Sequence, residues 1–532
     1  MTTREMKVTE RYLHLPVKNG APLRRMRFLV EGSVEREFDI ELAEGAPDFW
    51  VFSDLSAFEG KWLRVEAEGL PDGSDALAAL RQAPSVPDAD TIYRERYRPQ
   101  FHFSPRRGWN NDPNGLVYHR GEYHLFFQHN PYGREWGNMH WGHAVSRDLV
   151  HWEELPVALY PRRYGDWVYS GSAVVDTRNT AGFQRGLEDA LVAIYTSTGR
   201  GECIAYSTDR GHSFTEYPGN PVVRHRGRDP KVIWYAPGKH WVMAVYDEQG
   251  EGDALSKGIA FYTSPDLKVW KFASRVEGYY ECPELFELPV DGNPENTRWV
   301  LHAADGDYTI GHFDGQRFVA ESGKHRFCHS DCFYASQTFN NIPCEDGRRI
   351  QIAWARAGHP EMPFNQMMGF PVELTLRTTE EGIRLFAWPV REIETLYRAR
   401  HAWDHLTIPE GSLSLDGVSG ELLDLSLELD PGSSTAAGAS VHGVPVTYDC
   451  VKRELSCLRW SAPLSPVNGR LRIRVLVDRL SLELYANDGR VYLPVCAVIP
   501  EGSQGVELFT RGGTAVATRV EIHELRSAWE PA

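Results

Sequence analysis

Three acidic residues stand in surroundings that would push their protonation apart. Asp112 lies in Trp109-Asn110-Asn111-Asp112-Pro113-Asn114-Gly115, where polar turn formers hold a carboxylate at a strand end instead of inside a sheet. Asp229 lies in Gly227-Arg228-Asp229-Pro230-Lys231, with a guanidinium beside it that favours the ionised form. Glu281 lies in Tyr279-Tyr280-Glu281-Cys282-Pro283-Glu284-Leu285-Phe286, an apolar and aromatic setting expected to raise its pKa and keep it protonated near neutral pH. One ionised carboxylate to attack an anomeric carbon and one protonated carboxyl to donate to the leaving oxygen are what glycoside hydrolysis requires. Each acid also has a plainer reading: Asp112 as a turn former, Asp229 as the partner of Arg228, Glu281 as an edge residue.

The whole-chain numbers bound the alternatives. At 532 residues the chain is too long for one ordinary core and divides into two to four domains. The formal net charge of −16 argues against nucleic acid or an anionic membrane as partner, because phosphate binding needs a basic surface. A composition with 16 Trp, crowded between 109 and 300, suits sugar faces as well as cores. No apolar run approaches the roughly 18 residues needed to span a bilayer, and Met1-Thr2-Thr3-Arg4-Glu5 opens no signal-peptide core, so the chain as written reads as cytoplasmic; a removed signal peptide would leave the same sequence. Eight cysteines show no close CxxC pairs and are expected to be mostly reduced, buried thiols. Cys328 and Cys332 with His325 and His329 fit no standard metal spacing, and neither a metal nor an organic cofactor is expected.

The elements that must hold the acids are strands. From Arg25 to Val65 apolar and polar residues alternate between turn formers, as in Lys61-Trp62-Leu63-Arg64-Val65, which predicts a small β domain over about 1–90 with a linker near 71–95. In the middle third, Ala144-Val145-Ser146-Arg147-Asp148-Leu149-Val150-His151-Trp152 recurs around Ser207-Thr208-Asp209 and Ser264-Pro265-Asp266, with the serines 61 and 57 residues apart. Strand, tight Ser-x-Asp turn and an aromatic opening the next strand, at that period, predict four-stranded propeller blades, about five of them over 95–390. From about 396 to 532, patterns such as Leu422-Leu423-Asp424-Leu425-Ser426-Leu427-Glu428-Leu429 predict a β-sandwich, and helix signals are almost absent throughout.

Taken together and in this order, the three acidic segments closely resemble glycoside hydrolase family 32, which holds invertases, levanases and exo-inulinases. Trp141-Gly142-His143-Ala144-Val145-Ser146, Tyr169-Ser170-Gly171-Ser172-Ala173-Val174 and Asp307-Tyr308-Thr309-Ile310-Gly311 also look like the family, and the likeness runs over roughly 95–530. Asn110 stands where an apolar residue is common in its first signature, and Tyr169 replaces the more usual Phe.

The resemblance implies an all-β fold, a five-bladed propeller followed by a β-sandwich. It gives Asp112 the role of nucleophile, Asp229 that of transition-state stabiliser and Glu281 that of acid/base, with Cys282 tuning Glu281 or merely filling space. It also places Asn111, Gln128, Trp136, Tyr169, Ser170 and Arg228 around one furanose, with Trp354 as a pocket-wall aromatic. The implied partner is a fructose-containing oligo- or polysaccharide, cut by exo-hydrolysis with retention. Transfer of the fructosyl unit to another sugar, endo-cleavage of levan and non-catalytic fructan binding are the competing readings. The N-terminal domain lies outside the family's minimal architecture and reads as a packing module or a glycan-contacting one.

Overall fold

The computed structural model describes residues 1–499 and 505–530. Strands dominate, and the helical segments among the described residues are short 3-10 turns, the longest being Arg391–Leu396. None of them is long and apolar enough to cross a membrane.

The N-terminal module pairs Thr2–Lys7, Trp62–Ala67, Arg24–Val30 and Ser33–Ile40 in one antiparallel sheet, and Phe49–Asp54, Tyr12–Val17 and Arg81–Ala83 in another. Alternation buries Met26, Phe28, Val30, Leu63 and Val65 against Leu13, Leu15 and Val51. The stretch expected to be a linker is partly built into this module: Ala76–Ala79 forms a 3-10 turn and Arg81–Ala83 pairs with Tyr12 to His14. Pro71-Asp72-Gly73 therefore marks a turn between elements, not a domain boundary.

Five four-stranded antiparallel blades follow. Their innermost strands are Gly108–His119, Val168–Asp176, Gly227–Tyr235, Glu284–Val290 and Tyr334–Thr338, in blades I to V. The Ser-x-Asp repeat closes the third-to-fourth-strand turn of blades I, II and III. Asp148 Oδ1 accepts the amides of Val150 and His151 at 3.1 and 2.8 Å, Asp209 Oδ1 that of Ser213 at 3.0 Å, and Asp266 Oδ1 those of Lys268 and Val269 at 3.0 and 2.9 Å. In each turn the residue after the aspartate is left-handed, with φ of 66° at Leu149, 59° at Arg210 and 63° at Leu267. The carboxylate satisfies the amides that this conformation frees, which is why Ser and Asp recur at one spacing. The ring closes where Phe364–Asn365 pairs parallel to Gly108 and Trp109, and where Asn340 exchanges backbone hydrogen bonds with Leu116 and Tyr118.

Two six-stranded sheets make the C-terminal sandwich over a core that includes Leu425, Leu427, Val446, Leu482, Leu484 and Val520. It docks on the propeller through a fully buried polar triad: His102 Nδ1 meets Asp478 Oδ2 at 2.8 Å and His102 Nε2 meets Glu483 Oε1 at 3.1 Å. Asp478 also accepts the backbone amides of Gln100 and Phe101, and Glu483 that of Phe370. A disulfide between Cys332 and Cys496 joins the same two units. The expectation of mostly reduced thiols holds for the other six cysteines, which are free; this one pair is 164 residues apart and is brought together by the docked sandwich. Cys344 is exposed, whereas Cys203, Cys328 and Cys457 are buried free thiols.

His102 is pushed up to about 9; burial opposes its charge, and Asp478 and Glu483 outweigh it. A folded-state pKa above the ordinary 6.5 means that the triad's stabilisation is complete below 6.5 and is lost as pH rises through 9. Calorimetry should therefore show the melting temperature falling between pH 7 and 10. His102→Leu, which leaves two buried carboxylates without their partner, should cost about 3–5 kcal/mol at neutral pH. A melting temperature flat across that range in the parent protein would contradict the assignment.

Candidate active site

The inner strands of blades I, II, III and V all break register at the same end of the propeller. Irregularities fall between Asn110 and Pro113, Val168 and Gly171, Arg228 and Lys231, and Tyr334 and Gln337. A bulge re-aims the side chain it carries, so Asp112, Ser170 and Asp229 leave the sheet pleat and turn to the axis. In blade IV the same result is reached just before the strand, where Glu281 and Cys282 have φ of 55° and 38°; Asp229 has φ of 67°. Each such residue costs on the order of 1–3 kcal/mol and persists only where its surroundings over-determine it. Here the Asp229 amide donates to Thr196 Oγ1 at 2.9 Å, the Cys282 amide to Asp229 Oδ2 at 3.1 Å, and the Ala304 amide to the Glu281 carbonyl at 3.2 Å.

The side chains converge. Ser170 Oγ donates to Asp112 Oδ2 at 2.6 Å, and Asn111 Nδ2 donates to Asp112 Oδ1 at 2.9 Å while its own Oδ1 accepts Trp109 Nε1 at 2.8 Å. The Cys282 thiol lies 3.7 Å from Asp112 Oδ2 and 3.5 Å from Asp229 Oδ2, so its contacts are with the two aspartates and not, as expected, with Glu281. Glu281 is held by Arg228 Nη2 on one oxygen and by Tyr334 OH, at 2.6 Å, on the other. Gln128 donates to the Val168 carbonyl at 3.0 Å, which sets it beside Tyr169 and Ser170. Trp136, 53% exposed, stands at the rim with its ring against Tyr169. Trp354 forms a wall with Trp109 and Tyr334 at edge-on contacts of 6.0 and 6.2 Å. Every residue singled out from the sequence thus belongs to one cluster or its rim. Tyr334 and Gln366, which accepts Trp354 Nε1 at 3.3 Å, are not among the site residues named from the sequence, although Gln366 lies in the segment 362–368 that resembles exo-acting fructanases.

The protonation pattern differs from the sequence expectation. Burial raises Asp112 above the ordinary carboxylate value, against the hydrogen bonds from Ser170 and Asn111. Burial raises Asp229 to about 7; Arg228 opposes this, and the charges of Asp112 and Glu281 add to it. Burial also works to raise Glu281, but hydrogen bonds from Arg228 and Tyr334 and the Arg228 charge outweigh it and leave the carboxyl below its usual value. The expected assignment, Glu281 protonated and Asp229 ionised, is therefore reversed in this arrangement. The physical reason is that the Arg228 guanidinium hydrogen-bonds Glu281, while its Nε stays 3.8 Å from Asp229 Oδ2.

Beneath the acids the axis is filled by a buried ion pair. Lys231 Nζ lies 2.9 Å from Glu284 Oε1, both essentially without exposure, and Thr338 completes the set by accepting from Lys231 at its carbonyl and donating its hydroxyl to Glu284 at 2.6 Å. Among the described residues no group of three His, Cys, Asp or Glu side chains is arranged to hold a metal ion.

Two family models match in chain order: the glycosyl hydrolases family 32 N-terminal domain over residues 102–389 and the family 32 C-terminal domain over 392–524. A levanase of Bacillus subtilis (strain 168) is 40% identical over 507 residues, with 85% of this chain and 74% of the relative covered. The extracellular exo-inulinase of Aspergillus ficuum is 33% identical over 526 residues, with 82% and 96% covered. Among solved structures, an exo-inulinase from Aspergillus awamori superposes with a TM-score of 0.74 at 30% identity, over 82% of this chain and all of that one. With the propeller, the sandwich and the three-acid cluster lying inside the matched segments, the chain belongs to glycosyl hydrolase family 32.

Proposed function

We propose that this family member is a retaining, exo-acting β-fructofuranosidase that releases terminal fructose from levan- or inulin-type fructans, with sucrose as a weaker substrate. The observation that carries the reading is the meeting of Asp112 and Asp229 at one thiol, with Glu281 next to it in the chain and at the same blind end of the propeller axis. Related proteins named levanase and exo-inulinase support the substrate class.

In this reading Asp112, its carboxylate oriented by Ser170 and Asn111, attacks the anomeric carbon and forms a covalent fructosyl intermediate. Glu281 donates its proton to the departing oxygen, then takes one from the water that releases fructose. Asp229, fixed from its own backbone by Thr196, holds sugar hydroxyls as positive charge develops on the ring. Glu281 must be protonated to begin, and Arg228 is the group that prevents it. A sugar hydroxyl that draws Arg228 away frees Glu281, whose burial then raises it as the sequence suggested. One proton is thus shared by the cluster, resting on Asp229 in the free protein and needed on Glu281 for cleavage. The closed axis supports exo-action: Lys231, Glu284 and Thr338 close the channel below the acids, so a chain cannot thread through it.

Four outcomes are expected. Asp112→Asn should lower kcat by several orders of magnitude while shifting the melting temperature little, since this bulge residue carries few packing contacts. Proton NMR of the first turnovers of the parent protein should show β-fructofuranose before mutarotation; the α-anomer first would exclude attack by Asp112. For pH, kcat/KM reports the free protein. It should rise as Asp112, raised above the ordinary carboxylate value, ionises, and should fall as the shared proton leaves near 7. A rate that keeps rising to pH 9 would refute proton sharing. Digestion of levan, inulin and sucrose in parallel, followed by chromatography, should give free fructose alone from the start. An early ladder of oligosaccharides would show endo-cleavage, and growth of longer sugars would show transfer.

A further inference from the structure

On the far face of the strand that supplies Gln128 to the site, the N-terminal module and blade I enclose a cavity of about 210 Å³. Sites for drug-sized ligands run about 300–1,000 Å³, so this one has room for a single sugar ring. Its walls come from both units. Tyr12 and Phe52, in edge contact at 5.4 Å, face Tyr160 and Val157 of blade I. The charged lining is balanced. Arg11 pairs with Asp54 at 3.1 Å and Arg106 with Glu154 at 3.3 Å, while Arg107 and Glu153 complete three cations against three anions. Neither an anion nor a cation is favoured by such a lining; a neutral ligand rich in hydroxyls is.

A second observation points the same way. His129 is 5% exposed and lines the cavity; its Nδ1 lies 2.7 Å from the Trp109 carbonyl, an acceptor, so the Nδ1–H donates and Nε2 carries a lone pair. Among the described residues Nε2 has no hydrogen-bond partner, and burial holds the ring neutral. Its lone pair is therefore open to the cavity, where a donor can reach it. The Tyr12 and Tyr160 hydroxyls likewise have no hydrogen-bond partner among the described residues and can each donate or accept.

We propose that this cleft is a second, non-catalytic binding site for one fructosyl unit of a fructan chain, with a sugar hydroxyl donating to His129 Nε2 and the ring lying between Tyr12, Phe52 and Tyr160. The identity of the sugar rests on the β-fructofuranosidase reading; the existence of a neutral-sugar site does not. Because Gln128 and His129 are neighbours that alternate across one strand, the two sites stand back to back in blade I, and the N-terminal module serves to hold a chain near the enzyme that shortens it.

The test uses calorimetric titration of the full chain carrying Asp112→Asn with a short inulin-type oligosaccharide. Two equivalents should bind, falling to one when Val157→Trp fills the cleft or when Arg11→Ala removes the half-exposed cation at its mouth; melting curves confirm that both variants are folded. In the otherwise unchanged enzyme, Val157→Trp should leave kcat on sucrose intact and raise KM for levan about 3- to 10-fold. A single equivalent, unaffected by either substitution, would overturn the cleft proposal while leaving the catalytic reading intact. If the parent enzyme released no fructose from any substrate, the catalytic reading would fall instead, and the loss or persistence of one binding equivalent in Val157→Trp, titrated with fructose, sucrose and glucose, would still decide for or against the cleft.

Discussion

Everything at the centre of this molecule depends on the ion pair that joins Lys231, Glu284 and Thr338 across three blades. A propeller brings its innermost strands together around an axis with no layer of apolar residues to fill it, and here the gap is closed by charge. Taking a lysine and a glutamate out of water costs several kcal/mol each, and the cost is offset only when geometry and extra hydrogen bonds are good. The carbonyl and hydroxyl of Thr338 supply those bonds. Lys231 follows Asp229 by two residues and Glu284 follows Glu281 by three, so the pair that anchors blades III and IV also fixes the height at which both acids leave their strands.

That arrangement explains why strain is tolerated just above it. Glu281 and Cys282 hold positive φ angles that no local preference of these residues supports, and Asp229, a type that enters this region more readily, does so as well. Cross-blade bonds over-determine them: Thr196 of blade II receives the Asp229 amide, Asp229 receives the Cys282 amide, and Ser172 of blade II accepts the Val232 amide at 2.9 Å and donates to the Pro230 carbonyl at 2.8 Å. The polar chain continues outward from Thr196 through Glu202 and His225 to Asp247, with steps of 2.8, 2.8 and 3.4 Å. Precision at the site is thus maintained by neighbours on other blades, which is why a closed ring suits this chemistry better than an open sheet would.

Much of this was legible in the sequence where the cause is local. The Ser-x-Asp turns could be read because one carboxylate closes one turn within a few residues, and their spacing gave the blade count. The acids were legible as distinctive short segments, and the resemblance to the family assigned their order. What escaped detection depends on long-range pairing. His102 finds Asp478 and Glu483 376 and 381 residues away, Tyr334 reaches Glu281 from another blade, and Cys332 meets Cys496 only after the sandwich docks. The protonation order was misread for the same reason: adjacency placed Arg228 with Asp229, whereas the bulge turns its guanidinium to Glu281.

The reversed order is itself what clustering three carboxyls demands. Moving Asp229 from 3.8 to about 7 corresponds to roughly 4 kcal/mol, at about 1.36 kcal/mol per pKa unit. Burial is the larger cause, and the charges of Asp112 and Glu281 add to it against Arg228, so buried like charges in one cluster work against three full charges near neutrality. One cation, Arg228, serves the set and can neutralise only one acid well. Whichever carboxyl it leaves takes up the proton. Asp112 is the best insulated from that competition, because Ser170 and Asn111 satisfy its carboxylate without adding charge. The position of one guanidinium therefore bears on which of the other two acids is protonated, and in the proposed mechanism a sugar that moves it would let Glu281 take the proton without any change in the fold.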